Sequence, residues 1–210
     1  MAAVPALQPS LLDLVADPSP EALAGRVERR VLGDGAWVDR CPGWLTGGEL
    51  FPALVEGVAW RAERRPMYER VVDVPRLLAF YGPGERLPEP GLEAARSELD
   101  TYYRPELGEA LATAGLCLYR DGRDSVAWHG DTIGRAAKED TVVAILSLGA
   151  TRRFLLRPVA GGPSLRLDLA HGDLLVMGGS CQRTWQHAVP KTARAVGPRV
   201  SVQFRARGVR

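Results

Sequence analysis

The sequence predicts an α+β fold with a mainly β core, closed as a jelly roll or barrel. Eight short apolar runs separated by turn residues fill the chain from Leu116 onward, which is the rhythm of antiparallel strands. The 23 Gly and 16 Pro are spread along all 210 residues rather than gathered in one linker, as short elements joined by turns require. A hydrophobic content of 46% is enough to fill the core of one domain over residues 1–210.

In chain order, Pro20 to Arg30 predicts a short helix, with Val31 and Trp37–Val38 as a possible strand. Thr46-Gly47-Gly48-Glu49 has the spacing in which side chains and backbone amides cap each other at a helix start. Leu50, Phe51, Leu54, Val55, Val58 and Ala59 then repeat at helical spacing, predicting a helix over 47–65 with a charged end at Arg61–Arg65 and Trp60 in the core. Pro83-Gly84 and Pro88-Glu89-Pro90 mark a loop, after which Leu92–Leu99 and Leu107–Ala114 read as helical segments broken near Pro105. The predicted strands are 116–119, 125–129, 142–148, 154–157, 165–169, 174–177, 184–189 and 199–206, with turns at Asp121-Gly122, Gly161-Gly162, Gly172-Asp173 and Gly178-Gly179. No internal repeat or low-complexity tract interrupts them.

Charge and cysteine content narrow the function classes. The net charge of +2 hides a basic C-terminal end, with five Arg and one Lys between Lys191 and Arg210 and no acid among them, so a polyanionic partner fits. Arginine dominance can equally reflect genome composition. The three cysteines, Cys41, Cys117 and Cys181, are too few and too far apart for a disulfide framework or a zinc site. Met1–Ser10 lacks a basic start followed by an apolar stretch, and no run is long enough to span a bilayer. A monomeric cytoplasmic protein that does not engage a membrane is expected.

The chemistry-bearing residues are His129-Gly130-Asp131 and, 58 residues later, His187. Residues two apart on a strand share a face, so His129 and Asp131 can both be aimed inward, while Gly130 leaves room on the other side. Two imidazoles and one carboxylate on one face of a metal leave the opposite positions open, the arrangement that lets ferrous iron take up a co-substrate and oxygen together. That points to an oxygenase. His171, in the turn Ala170–Asp173, reads as structural. In the last strand Val200, Val202 and Phe204 face one way, and Arg199, Ser201, Gln203 and Arg205 the other. Arg199 and Arg205 stand ~20 Å apart along an extended backbone, so they serve opposite ends of a ligand rather than one carboxylate. A guanidinium fork matches a carboxylate bidentately.

These segments resemble the AlkB family of iron(II)- and 2-oxoglutarate-dependent dioxygenases, which remove alkyl groups from nucleic-acid bases. The resemblance is carried by Leu118-Tyr119-Arg120-Asp121-Gly122, His129-Gly130-Asp131, His171 to Gly179, Trp185 to Pro190, and Arg199-Val200-Ser201-Val202-Gln203-Phe204-Arg205. It covers about 116–206 as the catalytic core and leaves 1–115 as a variable substrate-recognition part. It implies a double-stranded β-helix with N-terminal helices packed against it, and Fe(II) held by His129, Asp131 and His187. It further implies 2-oxoglutarate and O2 as co-substrates, with Tyr119, Arg199, Ser201 and Arg205 as the 2-oxoglutarate set. Oxidative decarboxylation to succinate would be coupled to hydroxylation of an N-alkyl carbon and release of an aldehyde from alkylated DNA or RNA.

Two departures stand out. Cys117 occupies the place of an Asn that bonds the co-substrate near the metal, and a thiol is the weaker donor. Thr132-Ile133-Gly134 follows the metal-binding Asp where relatives carry acids that read an exocyclic amine. No lid motif follows Phe80-Tyr81-Gly82, so Tyr68, Tyr81 and Trp128 are the candidate partners of a flipped base, with Ile133 beside them. Two other functions share the pattern: a dioxygenase of a small molecule or a protein side chain, and a non-catalytic nucleic-acid-binding jelly roll. The missing acid and lid favour the first, and the paired arginines oppose it. The intact triad opposes the second.

Overall fold

The computed structural model describes residues 20–67 and 70–209. Where a helix over Pro20–Arg30 is predicted, the chain instead enters a hairpin of β1 (Glu28–Gly33) and β2 (Ala36–Cys41). Asp34 and Gly35 join these strands with φ of 51° and 77°. Asp-Gly is a pair that accepts two successive left-handed residues, so this turn, and not the apolar spacing before it, decides the local structure.

Helix α1 (Leu50–Gly57) is shorter than the predicted 47–65, and Glu49 at its start makes no side-chain cap, so the expected capping box does not form. The charged run after it is β3 (Arg61–Met67), paired with β4 (Arg70–Tyr81), a strand the sequence reading missed. β3 lies at the edge of its sheet, where charged side chains discourage pairing with other chains. Trp60 is half-buried against the core and donates from Nε1 to the Val55 carbonyl.

Helix α2 (Pro90–Leu107) begins with Pro90 in its first turn and ends at a left-handed Gly108. It buries Leu92, Ala95, Leu99 and Tyr103 along one stripe. Pro105 falls in its last turn, and Leu111–Tyr119, half of it predicted helical, is strand β5. Leu and Ala favour helix in isolation, but pairing with a later strand along β5, joined by β4 over Ala114–Leu118, overrides that preference.

The remaining strands follow the predicted order: β6 (Val126–His129), β7 (Thr141–Gly149), β8 (Arg152–Pro158), β9 (Leu165–Leu169), β10 (Asp173–Gly179), β11 (Trp185–Val189) after the short α3 (Cys181–Thr184), and β12 (Arg199–Ala206). Together β5 to β12 form the double-stranded β-helix. β10-β7-β12-β5 make the centre of the large sheet, extended by β2 and β1 on one side and β4 and β3 on the other, and β6-β11-β8-β9 make the small one. One core lies between the large sheet and the helices, with Val200, Val202 and Phe204 in it; a second lies between the two sheets. The predicted alternation of the last strand is thus borne out, and its polar face looks into the jelly roll.

Gly178 is not the turn residue predicted but part of β10, where a Cβ would stand 2.0 Å from the Trp37 ring. Trp37 lies flat over that gap. His171 is structural as expected: its Nδ1 accepts from the Gly149 amide at 3.0 Å, which leaves Nε2–H for the Gly47 carbonyl at 3.4 Å.

Candidate metal and co-substrate site

His129 and His187 meet because β6 and β11 pair with these two residues directly opposite. Four residues of β6, Val126 to His129, face three of β11, His187 to Val189, so β6 carries a bulge. The extra residue turns Val126 and His129 to the same side and sends the intervening Trp128 to the other. Trp128 lies under the Arg157 guanidinium at 4.3 Å, and Arg157 is held by Gln186. It therefore belongs to the outer face of the small sheet and is not part of the cavity, against expectation.

Asp131 lies just past the end of β6 rather than in it. Its backbone N–H donates to Gln182 Oε1 at 3.0 Å, and its carboxylate accepts from Arg205 Nε at 2.8 Å. Gly130 is required between the two ligands: a Cβ there would stand 2.4 Å from the Gln182 carbonyl oxygen, which is backbone and cannot give way. The ligand atoms of His129, Asp131 and His187 all lie within 4.8 Å of one another, the one such group of three among the described residues.

The protonation states suit a cation. Burial pushes the His187 imidazole down to about 3, so it is neutral with a free lone pair at ordinary pH. Burial alone would raise Asp131, but Arg205 foremost and then the two imidazoles outweigh it and hold the carboxyl at about 2. His129 Nδ1 lies 2.9 Å from the Ala127 carbonyl and donates to it, which leaves Nε2 as the ligand atom, 3.6 Å from Asp131. Two imidazoles and one ionised carboxylate form a donor set that fits a divalent iron.

Deeper in the jelly roll, Arg199 is 1% exposed and donates from Nε to Ser147 Oγ at 2.9 Å, while its buried Nη1 has no partner. Its guanidinium stands 5.2 Å from the Tyr119 ring, whose other neighbour is Arg152 at 5.5 Å. Arg152 ties down the loops beside the site through the carbonyls of Asp121, Asp124 and Pro190. Burial pushes the Tyr119 hydroxyl up to about 12, so it remains a neutral donor. An orphaned buried guanidinium donor beside a phenol is a place for a carboxylate.

A cavity of about 770 Å³ opens to solvent beside His129 and Asp131. His129, Asp131, Arg205 and Cys117 line its inner end, and Phe80, Tyr81 and Ile133 its mouth. Ile133 is 68% exposed and Phe80 57%. Tyr81, the residue singled out from sequence, packs partly against the helix-side core, and Phe80 is the more open aromatic. Tyr68 lies outside the described residues. Gln182 and Ser147 escaped the sequence reading because each meets its partner across more than fifty residues of chain, 51 and 52 respectively. Phe80 had a usable signal, since period-two alternation places it on the opposite face from Tyr81.

The profile of the 2OG-Fe(II) oxygenase superfamily matches residues 91–205, from α2 to the end of β12. The chain belongs to this superfamily. Over 187 residues it is 32% identical to the alpha-ketoglutarate-dependent dioxygenase alkB homolog 3 of Bos taurus, a match covering 79% of this chain and 64% of that one. It is 32% identical over 130 residues to the DNA oxidative demethylase ALKBH2 of Arabidopsis thaliana, covering 51% and 41%. The AlkB resemblance is therefore supported, although the chain spans less than two thirds of those relatives. Among solved structures, OsALKBH1 superimposes with a TM-score of 0.55 at 16% identity, over 84% of this chain and 100% of that one. A prolyl hydroxylase of Trichoplax adhaerens superimposes at 0.58 and 15%, over 80% and 83%. These two establish the jelly-roll fold of the superfamily, whose cofactor is Fe(II), with His129, Asp131 and His187 as the metal-binding triad.

Proposed function

We propose that this chain is an Fe(II)- and 2-oxoglutarate-dependent dioxygenase that removes alkyl groups oxidatively from bases of DNA or RNA. The observation that carries the reading is one cavity with two residues of the metal triad, His129 and Asp131, at its inner end and large exposed apolar side chains, Phe80 and Ile133, at its mouth. An aromatic and an aliphatic face suit a planar base drawn out of its stack. The names of the relatives point the same way.

When bound, Fe(II) and 2-oxoglutarate use O2 to hydroxylate the N-alkyl carbon, giving succinate and carbon dioxide, and the hydroxylated group leaves as an aldehyde. The chain's residues position and shield. Arg199 and Tyr119 bind the distal carboxylate of 2-oxoglutarate, and Ser201 donates to the co-substrate along the same wall. Arg205 holds one oxygen of the Asp131 carboxylate and would leave the other for the metal. Phe80, with Ile133 and Tyr81, faces the base.

We place the enzyme in the cytoplasm as a monomer, with 1–210 acting as one catalytic domain in which 1–115 recognises substrate. Three free thiols, Cys41, Cys117 and Cys181, are in keeping with a reducing compartment. No helix among the described residues is long and apolar enough to cross a membrane. The deciding experiment adds 2-oxoglutarate anaerobically to the Fe(II)-loaded protein, follows the charge-transfer absorption, then admits air with a methylated oligonucleotide. Formaldehyde and succinate in equal amounts are expected. Succinate with no aldehyde product from any alkylated DNA or RNA would move the substrate to a small molecule or a protein.

A further inference from the structure

Three side chains on the inner face of the large sheet are joined by hydrogen bonds that run in one direction. The Cys117 thiol donates to Gln203 Oε1 across 3.6 Å. Gln203 Nε2 then donates twice to Ser201, to its backbone carbonyl at 2.9 Å and to its hydroxyl oxygen at 2.7 Å. A carbonyl can only accept, so the amide nitrogen must face Ser201 and the amide oxygen must face the thiol. Both Nε2 hydrogens are thereby spent.

The Ser201 hydroxyl receives one of them, so the proton it carries points away from Gln203, and none of the hydrogen bonds of the described residues takes it up. Ser201 is 3% exposed and shares its strand face with Arg199 and Arg205, the face that looks into the jelly roll. The chain of donors thus ends in a loose buried O–H, which is a costly state unless an acceptor arrives. Bonds aligned head to tail polarise one another, so the last donor is the strongest for it.

Gly115 is the second observation. It lies across from Gln203 in the β5–β12 pairing, and a Cβ there would stand 3.2 Å from Gln203 Oε1 and 3.0 Å from Arg205 Nη1. A glycine in mid-strand weakens the strand and commonly marks a place where something approaches closely. Here it opens the wall for the Gln203 amide to fold back toward Cys117.

We propose that Gln203 is a positioning residue for the co-substrate: backed by the Cys117 thiol, its amide holds the Ser201 hydroxyl as a donor directed at a carboxylate oxygen of 2-oxoglutarate. The chain thereby keeps an amide on this wall although position 117 carries a thiol. The inference rests on the co-substrate reading above.

The test is calorimetric binding of 2-oxoglutarate to the full chain loaded with Mn(II), which needs no turnover. If the wild type does not bind 2-oxoglutarate, the co-substrate reading falls and this inference with it. Given wild-type binding, Gln203→Met, which keeps length and volume and removes the amide, should weaken it on the order of tenfold, the worth of about one hydrogen bond. Ser201→Ala should weaken it by a similar factor, and adding Gln203→Met to Ser201→Ala should cost nothing more. Cys117→Val should weaken binding and Cys117→Ser should restore it, a pair that decides the matter without touching position 203. Unchanged affinity in Gln203→Met, additive losses in the double variant, or equal affinity of Cys117→Val and Cys117→Ser would each overturn the proposal while leaving the co-substrate reading in place.

Discussion

Replacing Arg199 by methionine removes a buried guanidinium and keeps an unbranched apolar stem of nearly the same reach. In the ligand-free protein this charge is 1% exposed, is bonded through Nε to Ser147, and holds an Nη1 donor that meets no acceptor. An unsatisfied buried donor costs ~1–3 kcal/mol, while losing the Ser147 bond costs ~1 kcal/mol. The balance is a gain of between zero and about 2 kcal/mol for the methionine variant, equivalent to a rise of up to roughly 8 °C in thermal midpoint for a domain of this size. With 2-oxoglutarate bound, the sign reverses. Two charge-assisted hydrogen bonds at ~1.5–3 kcal/mol each are lost, so affinity should fall about 10²–10⁴-fold. The assay is a thermal melt of Mn(II)-loaded wild type and variant, with and without 2-oxoglutarate. The expected result is a variant at least as stable as wild type without ligand and unmoved by ligand. A ligand-induced rise equal to that of wild type would refute the carboxylate role, and a ligand-free variant melting well below wild type would make Arg199 a structural residue.

Other expected outcomes follow from the same geometry. His187→Ala or Asp131→Ala should abolish stoichiometric Fe(II) binding, measured by anaerobic equilibrium dialysis, because each removes one of three ligand atoms; retained tight binding by either would remove that residue from the triad. His187 is held near 3 by burial against an unfolded value of ~6.5, so the unfolded chain binds a proton the folded one refuses as pH falls from about 6.5 toward 3. Metal-free stability should therefore drop over that window by up to ~1.4 kcal/mol per pH unit from this group. Urea titrations should show a shallower pH dependence in His187→Gln, and equal slopes would contradict the assignment. At the cavity mouth, where Ile133 is 68% exposed, Ile133→Asp should shift preference from lesions lacking an exocyclic N–H, such as etheno adducts, toward 1-methyladenine and 3-methylcytosine by up to ~1 kcal/mol, the net worth of one hydrogen bond. Competition between ethenoadenine and 1-methyladenine oligonucleotides measures it, and an unaltered ratio would reject a base-reading role for Ile133.

The eight strands from β5 to β12 were legible because each is a short apolar run bounded by turn residues, a signal that lies within the strand itself. What failed was decided by pairing. Arg61–Arg65 reads as the polar end of a helix until β4 is there to pair with it, and Leu111–Ala114 is helical by propensity until β12 bonds along it and β4 joins at Ala114. The ligands were legible because the chain has only three histidines, and of its two His-Gly-Asp segments, 129–131 and 171–173, the second falls in a turn between strands. Their supports were not, since Gln182 and Ser147 carry no local pattern and act only through residues far along the chain. The bulge that turns Trp128 outward is likewise invisible in sequence, being a mismatch between β6 and β11.

The charges at the site explain why metal and co-substrate should bind as a pair. Asp131 and Arg205 neutralise each other across 2.8 Å, and His187 is neutral, which leaves the buried Arg199 and Arg152, on either side of Tyr119, without a carboxylate partner. A divalent cation alone adds to this positive charge in a place where burial magnifies the cost, and a 2-oxoglutarate dianion offsets both. The dianion also provides Arg199 with its missing acceptor. Each ligand therefore prepares the field for the other, and by linkage each must tighten the other's binding by the same factor. Arg199, which touches no metal ligand, is the residue through which that coupling would be felt.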